Sequence, residues 1–376
     1  MTHDEQLVWL RETDQQRLTR LWQWADEVRR EHVGNDVHLR GLIEVSNYCR
    51  RLCGYCGLRR PNRQIQRYRM SADEVLACAR RAVELGMGTV VLQAGEDPEL
   101  DGPWVTDLVR RIKATTDLAI TLSLGERSPR ELEMWRDAGA DRYLLRFETS
   151  NRQLFEQIHP PHAENAADRF ALLHTLRELG YEIGSGVMIG LPGQRFTDVA
   201  RDIELFRELD LDMIGVGPFV PHPQTPLGQN GLREDVGDEQ VTNDATVTWI
   251  VIALARLMCP LANIPSTTAV ATLHGMEGQL LALTRGANVI MPNLTPANYR
   301  KQYQIYPDKA CCYDDSPAAL TKLRERLAVL GRTVGVGRGD SLNKQRRGDS
   351  RTVRQSVDPL DVGRLGSTQA KTSEGR

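Results

Sequence analysis

Three thiols crowd one short stretch of the chain, Cys49-Arg50-Arg51-Leu52-Cys53-Gly54-Tyr55-Cys56. With three and then two residues between them, such thiolates can wrap one corner of a cubane and ligate three of its four irons. The fourth iron then stays open, which makes a site for chemistry rather than for electron transfer alone. Gly54 and Gly57 suit a backbone that must turn tightly around metal. Zinc would ask for a fourth ligand; His32 and His38 are available, but neither stands at the usual finger spacing. A thioredoxin-like pair at Cys53 and Cys56 would leave Cys49 without a purpose. The expectation is one 4Fe-4S cluster on Cys49, Cys53 and Cys56.

Short β-rich runs alternate with longer helical patterns around this loop. The runs cover 38–46, 89–95, 118–125, 142–148, 182–190, 213–220, 263–270 and 288–293. Helical patterns fill 72–85, 103–114, 129–138, 168–179, 196–209, 242–258 and 276–284, and several end at a glycine (Gly86, Gly139, Gly180, Gly286), where a left-handed terminal residue costs little. Eight strands alternating with helices predict an α/β fold of the (β/α)8 TIM type, whose chemistry collects on the loops after the strands. A doubly wound open sheet would alternate likewise. Residues 4–32 place Leu7, Leu10, Leu18, Leu21 and Val28 at helical spacing, which predicts an amphipathic leading helix. The expected division is a helical extension over 1–35, the barrel over 36–335 and a flexible tail over 336–376, whose Gly, Arg, Ser, Asp, Gln and Thr leave little to bury.

The chain has 376 residues, 40% of them apolar, enough for a large core, and 48 Lys+Arg against 50 Asp+Glu for a net charge of −2. Ten basic residues against five acids over 332–376 set a tail of +5 on a body of −7. An acidic body argues against nucleic acid as the partner, since phosphate binding needs clustered cations. The start, Met1-Thr2-His3-Asp4-Glu5-Gln6, has neither the basic nor the apolar part of a secretion signal, and the apolar run 249–255, stopped by Arg256, is too short to span a membrane. A cytoplasmic chain without membrane contact is expected. In that reducing compartment seven cysteines point to metal or redox chemistry rather than disulfides.

Cys-x-x-x-Cys-x-Tyr-Cys after a first barrel strand resembles the radical S-adenosylmethionine (SAM) superfamily. The likeness is closer to one branch of it. Ser46-Asn47-Tyr48-Cys49, Cys56-Gly57-Leu58-Arg59-Arg60, Tyr68-Arg69-Met70, Val91-Leu92-Gln93-Ala94-Gly95-Glu96-Asp97 and Thr121-Leu122-Ser123-Leu124-Gly125-Glu126 resemble the HydE family of FeFe-hydrogenase H-cluster maturases, in the biotin synthase-like group. So do Asp141-Arg142-Tyr143-Leu144-Leu145-Arg146, Gly190-Leu191-Pro192-Gly193-Gln194, Gly215-Val216-Gly217-Pro218-Phe219-Val220-Pro221-His222-Pro223 and Ala287-Asn288-Val289-Ile290-Met291-Pro292-Asn293. The similarity runs from about residue 5 to about residue 335 and spares only the tail.

The resemblance implies that SAM fills the open iron and is cleaved by an electron from the cluster to a 5′-deoxyadenosyl radical. Glu96, beside Gly95, offers a carboxylate to the SAM ammonium. Glu148 matches a position that contacts the polar part of SAM, and Arg169 one that clamps its carboxylate with a bidentate fork. Tyr55 and Gly217 are expected along the adenine. Thr121 and Arg146 are expected to point into the barrel near the tops of strands three and four, and a buried cation there requires an anion, from substrate or from protein. Thr267 and Thr268 on strand seven, Met213, Tyr303 and Tyr306 complete the expected substrate cavity.

Cys311-Cys312 stand where some relatives have three cysteines for a second cluster, and two adjacent thiols cannot enclose one, so none is expected; Cys78 and Cys259 read as small buried residues. The function implied is attack by the adenosyl radical on a small anionic substrate, a cysteine-bound Fe(CO)2(CN) complex, with a reductant protein and companion hydrogenase maturases as partners. Methylornithine synthase and biotin synthase are alternatives on the same barrel, and a non-catalytic iron–sulfur carrier is the alternative of another class.

Overall fold

The computed structural model describes residues 1–161, 168–229, 236–309 and 316–347. Two helices, α1 (His3–Leu10) and α2 (Gln15–Val33), replace the single leading helix expected from the periodicity. The break arises because Asp14 starts a new helix, its side chain accepting the Arg17 backbone N–H at 2.8 Å. Leu10, Leu18, Leu21 and Ala25 enter the same core as the strands.

Helices α3 (Ala72–Glu84), α4 (Gly102–Thr115), α5 (Pro129–Asp137), α6 (Arg152–Ile158), α7 (Arg169–Glu178), α8 (Phe196–Glu208), α9 (Pro226–Gln229), α10 (Ala245–Met258) and α11 (Thr268–Leu283) follow. Ser71, Asp101, Ser128, Asn151, Asp168 and Asp244 cap their first turns by accepting backbone N–H groups, so each helix start is fixed by a local side chain. The short α12 (Ala297–Arg300) and α13 (Pro317–Val329) complete the helices.

Strands β1 (Asp36–Ser46), β2 (Thr89–Ala94), β3 (Ala119–Ser123), β4 (Arg142–Leu144), β5 (Glu182–Ile189) and β6 (Met213–Pro218) pair in that order, all in parallel. The other edge of β1 pairs with β7 (Val289–Ile290). Residues 263–266 bridge the remaining gap, parallel to β6 at Met213 and Val216 and to β7 at Val289. The ring of pairings therefore closes, as a TIM-type barrel requires and an open sheet does not. The seventh strand stops short of the expected 270: Thr267 takes the N-cap position of α11, so Thr267 and Thr268 open a helix instead of lying on a strand.

Side chains alternate along each strand. Ile43, Leu92, Ile120, Leu122, Tyr143, Val187 and Val216 join the core under the helices. The intervening positions turn inward, and on β5 and β6 these include Gly184, Gly186, Gly215 and Gly217, with Glu182, Met188 and Met213. The middle of that wall is thus mostly backbone. No helix among the described residues is long and apolar enough to cross a membrane.

Opposite the cysteine loop, the barrel is closed by ions. Arg142 donates to Glu182 at 2.7 Å and to Thr89 at 2.9 Å, with both charged side chains at most 3% exposed. Arg40 is fully buried, donates to the Met213 sulfur at 3.0 Å and to the Gly339 carbonyl at 3.1 Å, and burial pulls its guanidinium down to about 9. A short strand, β8 (Thr333–Val334), pairs with the start of β1, and the chain then runs under the barrel. There Asp340 pairs with Arg142, Arg338 with Asp141, and the Ser341 N–H reaches Glu182 at 3.2 Å. The flexible tail expected from 336 therefore has an ordered beginning through residue 347; its anchors are charges and backbone groups, not the apolar area by which the sequence was judged. Residues 348–376 lie outside the described residues.

Glu182, the more deeply buried partner beside Asp340, thus offsets two buried guanidiniums. Glu182→Ala is expected to destabilise the fold by about 3–5 kcal/mol, the cost of leaving a buried charge uncompensated. Urea unfolding reads this directly, and an unchanged midpoint would contradict it.

Candidate active site

The cysteine loop leaves the end of β1 and is held in shape by its own residues. Asn47 donates to the carbonyls of Gln66 and Gln302, both at 2.8 Å, and accepts the Tyr68 N–H. Arg67 lies across the loop and donates to the carbonyls of Asn47, Leu58, Arg59 and Asn62. The Gly54 N–H reaches the Ile158 carbonyl at 2.7 Å, and the Gly57 N–H the Ile305 carbonyl at 2.9 Å. A Cβ on Gly57 would lie 2.2 Å from the Gln304 carbonyl oxygen, so only glycine fits there. Cys53 is buried; Cys49 and Cys56 are half-buried. His32, within α2, and His38, packed against Gly335 and Gly339 at the far end of β1, are not the histidines that meet the thiols; His159 is, with Nδ1 3.0 Å from the Cys53 sulfur.

Beside the loop lies a dense network of ions. A Cβ on Gly95 would stand 2.3 Å from the Tyr48 carbonyl oxygen and 2.7 Å from Cys49 Cβ, so Gly95 lets the end of β2 touch the cysteine loop. Glu96 follows, buried, with Oε1 accepting the Glu126 N–H at 3.1 Å and Oε2 within 3.6 and 3.7 Å of Arg50 and Arg51. Gly125 has φ +81°, and a Cβ there would collide with the Glu96 side chain. Glu126 accepts from Arg169 Nε at 2.8 Å and Arg51 at 3.4 Å, and meets His159 Nε2 at 3.2 Å. Burial alone would raise the Glu126 carboxyl, yet His159, Arg169 and Arg51 hold it down at about 2. Arg169, at the start of α7, also donates to the Arg146 carbonyl and contacts His159 Nε2 at 3.0 Å. Glu96, Glu126 and His159 bring three potential ligand atoms within 4.8 Å of one another. Three guanidiniums, Arg50, Arg51 and Arg169, already stand against these carboxylates, and their charge opposes a metal ion there.

A second cluster forms at the top of β4. Glu148 stands at φ +65°, in the left-handed region that a residue with a Cβ enters only at a cost. Its carboxylate lies 3.2 Å from Arg146 Nη2 and 3.4 Å from the Tyr55 hydroxyl, so Tyr55, Arg146 and Glu148 are brought together. Arg146 is 31% exposed and also donates to the Val187 carbonyl; the anion that the sequence required for it is a carboxylate of the protein itself.

The loop after Glu148 is tied from outside by α8, where Asp202 accepts the Ser150 N–H at 2.5 Å. Burial and the nearby Asp198 raise the Asp202 carboxyl to about 7. A carboxyl raised on folding keeps its proton in the native state, so stability falls as pH rises from its ordinary 3.8 to about 7. Asp202→Asn is expected to remove that part of the pH dependence. The check is the difference in unfolding midpoint between wild type and variant at pH 4 and pH 8, and a difference equal at both would contradict it.

The remaining expected residues stand at several levels along the barrel. Thr121 and Met213 sit lower in the barrel beside Arg40 and Arg142. Thr121 is fully buried with its hydroxyl unpartnered. Gly217 and Thr267 meet at the top of β6, where a Cβ on the glycine would lie 3.0 Å from Thr267 Oγ1. Thr268 belongs to the first turn of α11. Tyr303 is buried under Lys309, whose amine pairs with Glu44 on β1; Tyr306, three residues on, is half-buried. Cys78 and Cys259 are buried, while Cys311 and Cys312 lie outside the described residues. Sequence reasoning missed Arg51, His159 and the role of Glu126. Arg51 carried a signal, since it stands between two cysteines of the loop; His159 carried none.

The donor set fits an iron–sulfur cluster and a polar ligand beside it. Burial raises all three thiols, Cys56 to about 12, so without a cation they would hold their protons, and metal must displace them. Glu96 Oε2, Glu148 Oε2, Arg51 Nε and Arg146 Nε are buried here without a hydrogen bond, held only by the ion pairs of Glu96 with Arg50 and Arg51 and of Glu148 with Arg146.

The Radical SAM superfamily matches residues 43–218. The FeFe-hydrogenase maturase subunit HydE of Thermotoga maritima is 45% identical over 315 residues, which cover 84% of this chain and 86% of that protein. The 3-methylornithine synthase of Methanosarcina acetivorans is 27% identical over 278 residues, 73% of this chain and 75% of its own. Among solved structures, methylornithine synthase (PylB) shares the fold with a TM-score of 0.74 at 24% identity, covering 94% of this chain and 96% of that one. By its ordered cysteine loop, its closed barrel and this likeness, the chain belongs to the radical SAM superfamily and, within it, to the family of the FeFe-hydrogenase maturase HydE.

Proposed function

We propose that Cys49, Cys53 and Cys56 hold one 4Fe-4S cluster, and that SAM binds between this loop and the carboxylate–guanidinium network. When bound, these groups supply one-electron cleavage of the sulfonium to a 5′-deoxyadenosyl radical. Glu96 accepts from the ammonium of SAM. Glu126 accepts from Nε of Arg169 and so orients its guanidinium, which would pair with the SAM carboxylate. Glu148 would contact the polar part of SAM, and Tyr55 and Gly217 would line its adenine. Deeper in the barrel, the mostly backbone middle of β5 and β6 leaves room for a small substrate, with Thr121, Arg146, Met213, Thr267, Thr268, Tyr303 and Tyr306 around it.

The observation that carries this reading is the group of three desolvated thiols packed against carboxylate and guanidinium atoms that lack hydrogen bonds, at the end of a closed barrel. The substrate we infer is a small anionic organometallic complex, cysteine-bound Fe(CO)2(CN), handled with companion hydrogenase maturases and a reductant protein in the cytoplasm; the 45% identity to a hydrogenase maturase supports this over an amino-acid mutase. Anaerobic reconstitution with SAM and dithionite should yield 5′-deoxyadenosine, and the protein should restore activation of an apo-hydrogenase in a maturation mixture lacking HydE. 5′-Deoxyadenosine without activation would overturn the hydrogenase assignment, and no 5′-deoxyadenosine would overturn the enzyme reading.

A further inference from the structure

The cysteine loop carries more than its thiols. Residues 45–72 contain seven arginines (Arg50, Arg51, Arg59, Arg60, Arg63, Arg67 and Arg69) and no acidic residue. With seven of the 48 basic residues here and none of the 50 acids, the rest of the chain sums to −9. The strongest local excess of charge in a mildly acidic protein thus sits on the loop that holds the reactive group.

These arginines divide into two sets. Arg51, Arg59, Arg67 and Arg69 are occupied. Arg51 reaches Glu126, Arg59 the Leu52 carbonyl, Arg67 four loop carbonyls, and Arg69 both Asp97 and Glu99. Arg60 and Arg63 are exposed and, among the described residues, have no carboxylate or carbonyl partner. Pro61, Gln64 and Gln66 beside them are exposed too, and Arg50 is 44% exposed, 3.6 Å from Glu96. The free cations are bound tightly to the cluster loop through the backbone. The Arg60 N–H donates to the Arg51 carbonyl at 2.9 Å, the Arg59 N–H to the Cys56 carbonyl at 3.1 Å, and the Asn62 side chain to the Gly57 carbonyl at 2.7 Å. Arg60 and Arg63 therefore stand on a turn hydrogen-bonded to the backbone of the cysteine loop.

Neither the fold nor the small-molecule chemistry needs these two exposed cations. A protein that must receive electrons at this loop does. We propose that the turn 59–66, with Arg50, is the docking surface for the electron donor, and that the donor is a small acidic protein carrying a low-potential one-electron centre. The inference rests on the radical SAM reading of the site and adds the face used and the charge of the partner. In the encounter one electron leaves the donor's centre and enters the cluster, and no proton or group is transferred. Opposite charge steers such an encounter and sets its orientation, while contributing less to the lifetime of the complex, which suits a carrier that must leave after each transfer.

The test compares wild type with Arg60→Glu/Arg63→Glu and Arg60→Lys/Arg63→Lys as reconstituted holoproteins, each driven by dithionite or by a reduced flavodoxin, a small acidic FMN protein. With flavodoxin, the glutamate variant is expected to lose roughly tenfold or more in 5′-deoxyadenosine formation at limiting donor, and the lysine variant to retain most of it. With dithionite, all three should match, because the replaced side chains are exposed and unpaired. Binding of oxidised flavodoxin, followed by calorimetry, should weaken in the glutamate variant and with added salt. Equal flavodoxin-driven rates and equal binding in wild type and glutamate variant would overturn the docking surface. Loss of the dithionite reaction in the wild type would instead overturn the catalytic reading on which it rests.

Discussion

Replacing Cys49, Cys53 and Cys56 together by alanine is expected to leave a folded barrel that binds no cluster and forms no 5′-deoxyadenosine. The scaffold should survive because the loop is held by groups other than its thiols. Arg67 spans four carbonyls, Asn47 fastens residues 66 and 302, and the Gly54 and Gly57 N–H groups are bonded to neighbouring loops. Removing the sulfurs also removes three desolvated groups whose ionisation is unfavourable without metal. Reconstituted wild type should contain about four irons and show an EPR signal that shifts on adding SAM, whereas the triple variant should contain none. Undiminished iron would reject the assignment. His159→Ala gives a second reading of the same site. A tetrahedral zinc centre would need the imbalance of three thiolates repaired by a fourth ligand, and the imidazole 3.0 Å from Cys53 is the available one. An iron–sulfur cluster with one open iron does not need it, so iron content should persist in this variant.

The parts of this protein legible in its sequence are those fixed by nearby residues. Strands β1 to β7 and helices α3, α4, α5, α7, α8, α10 and α11 follow from local periodicity, α6 and α13 do not, and the cysteine loop follows from spacing alone. The errors are two local one-residue events and one segment whose partners are distant. Asp14 divides the leading helix, and Thr267 ends the seventh strand by starting α11, each a one-residue event inside a pattern that continues smoothly across it. The segment 336–347 reads as unstructured because it has little apolar area to bury. Its packing instead uses the carbonyls of Arg338 and Gly339 and the carboxylate of Asp340 to satisfy Arg142 and Arg40, whose need for partners is visible only once β1 and β4 are placed inside a barrel.

The same limit applies to the site. Gly95, Glu96, Glu148 and Arg169 lie near strand ends or helix starts and can be located by motif, but their partners come from four separate loops. Glu126 and His159 complete the network from positions 30 and 33 residues or more from their nearest partners among Glu96 and Glu126. Arg146 shows how a correct physical demand can have more than one answer. A cation near the barrel mouth needs an anion, and here Glu148 supplies it, held in a left-handed backbone conformation that no pattern of residue types announces.

Arg169→Ala is expected to weaken SAM binding by roughly 10- to 100-fold while leaving iron content unchanged, the range corresponding to loss of a charge-assisted contact of about 1.5–3 kcal/mol. The guanidinium is buried. Desolvation opposes its charge, but Tyr55, Glu126 and Glu148 more than offset that, so it remains a cation at every accessible pH. Its removal takes one donor from Glu126 but leaves His159 and Arg51 in place, so the carboxylate is not stranded and the fold should hold. Lysine at this position keeps the charge and loses the planar fork. Arg169→Lys should therefore recover part of the affinity if charge dominates, and little of it if the SAM carboxylate is held by two parallel N–H bonds. Equilibrium binding of SAM to the reconstituted variants separates these outcomes without any turnover. Wild-type affinity in Arg169→Ala would remove Arg169 from the binding site and leave it as a strut between Glu126 and the Arg146 carbonyl.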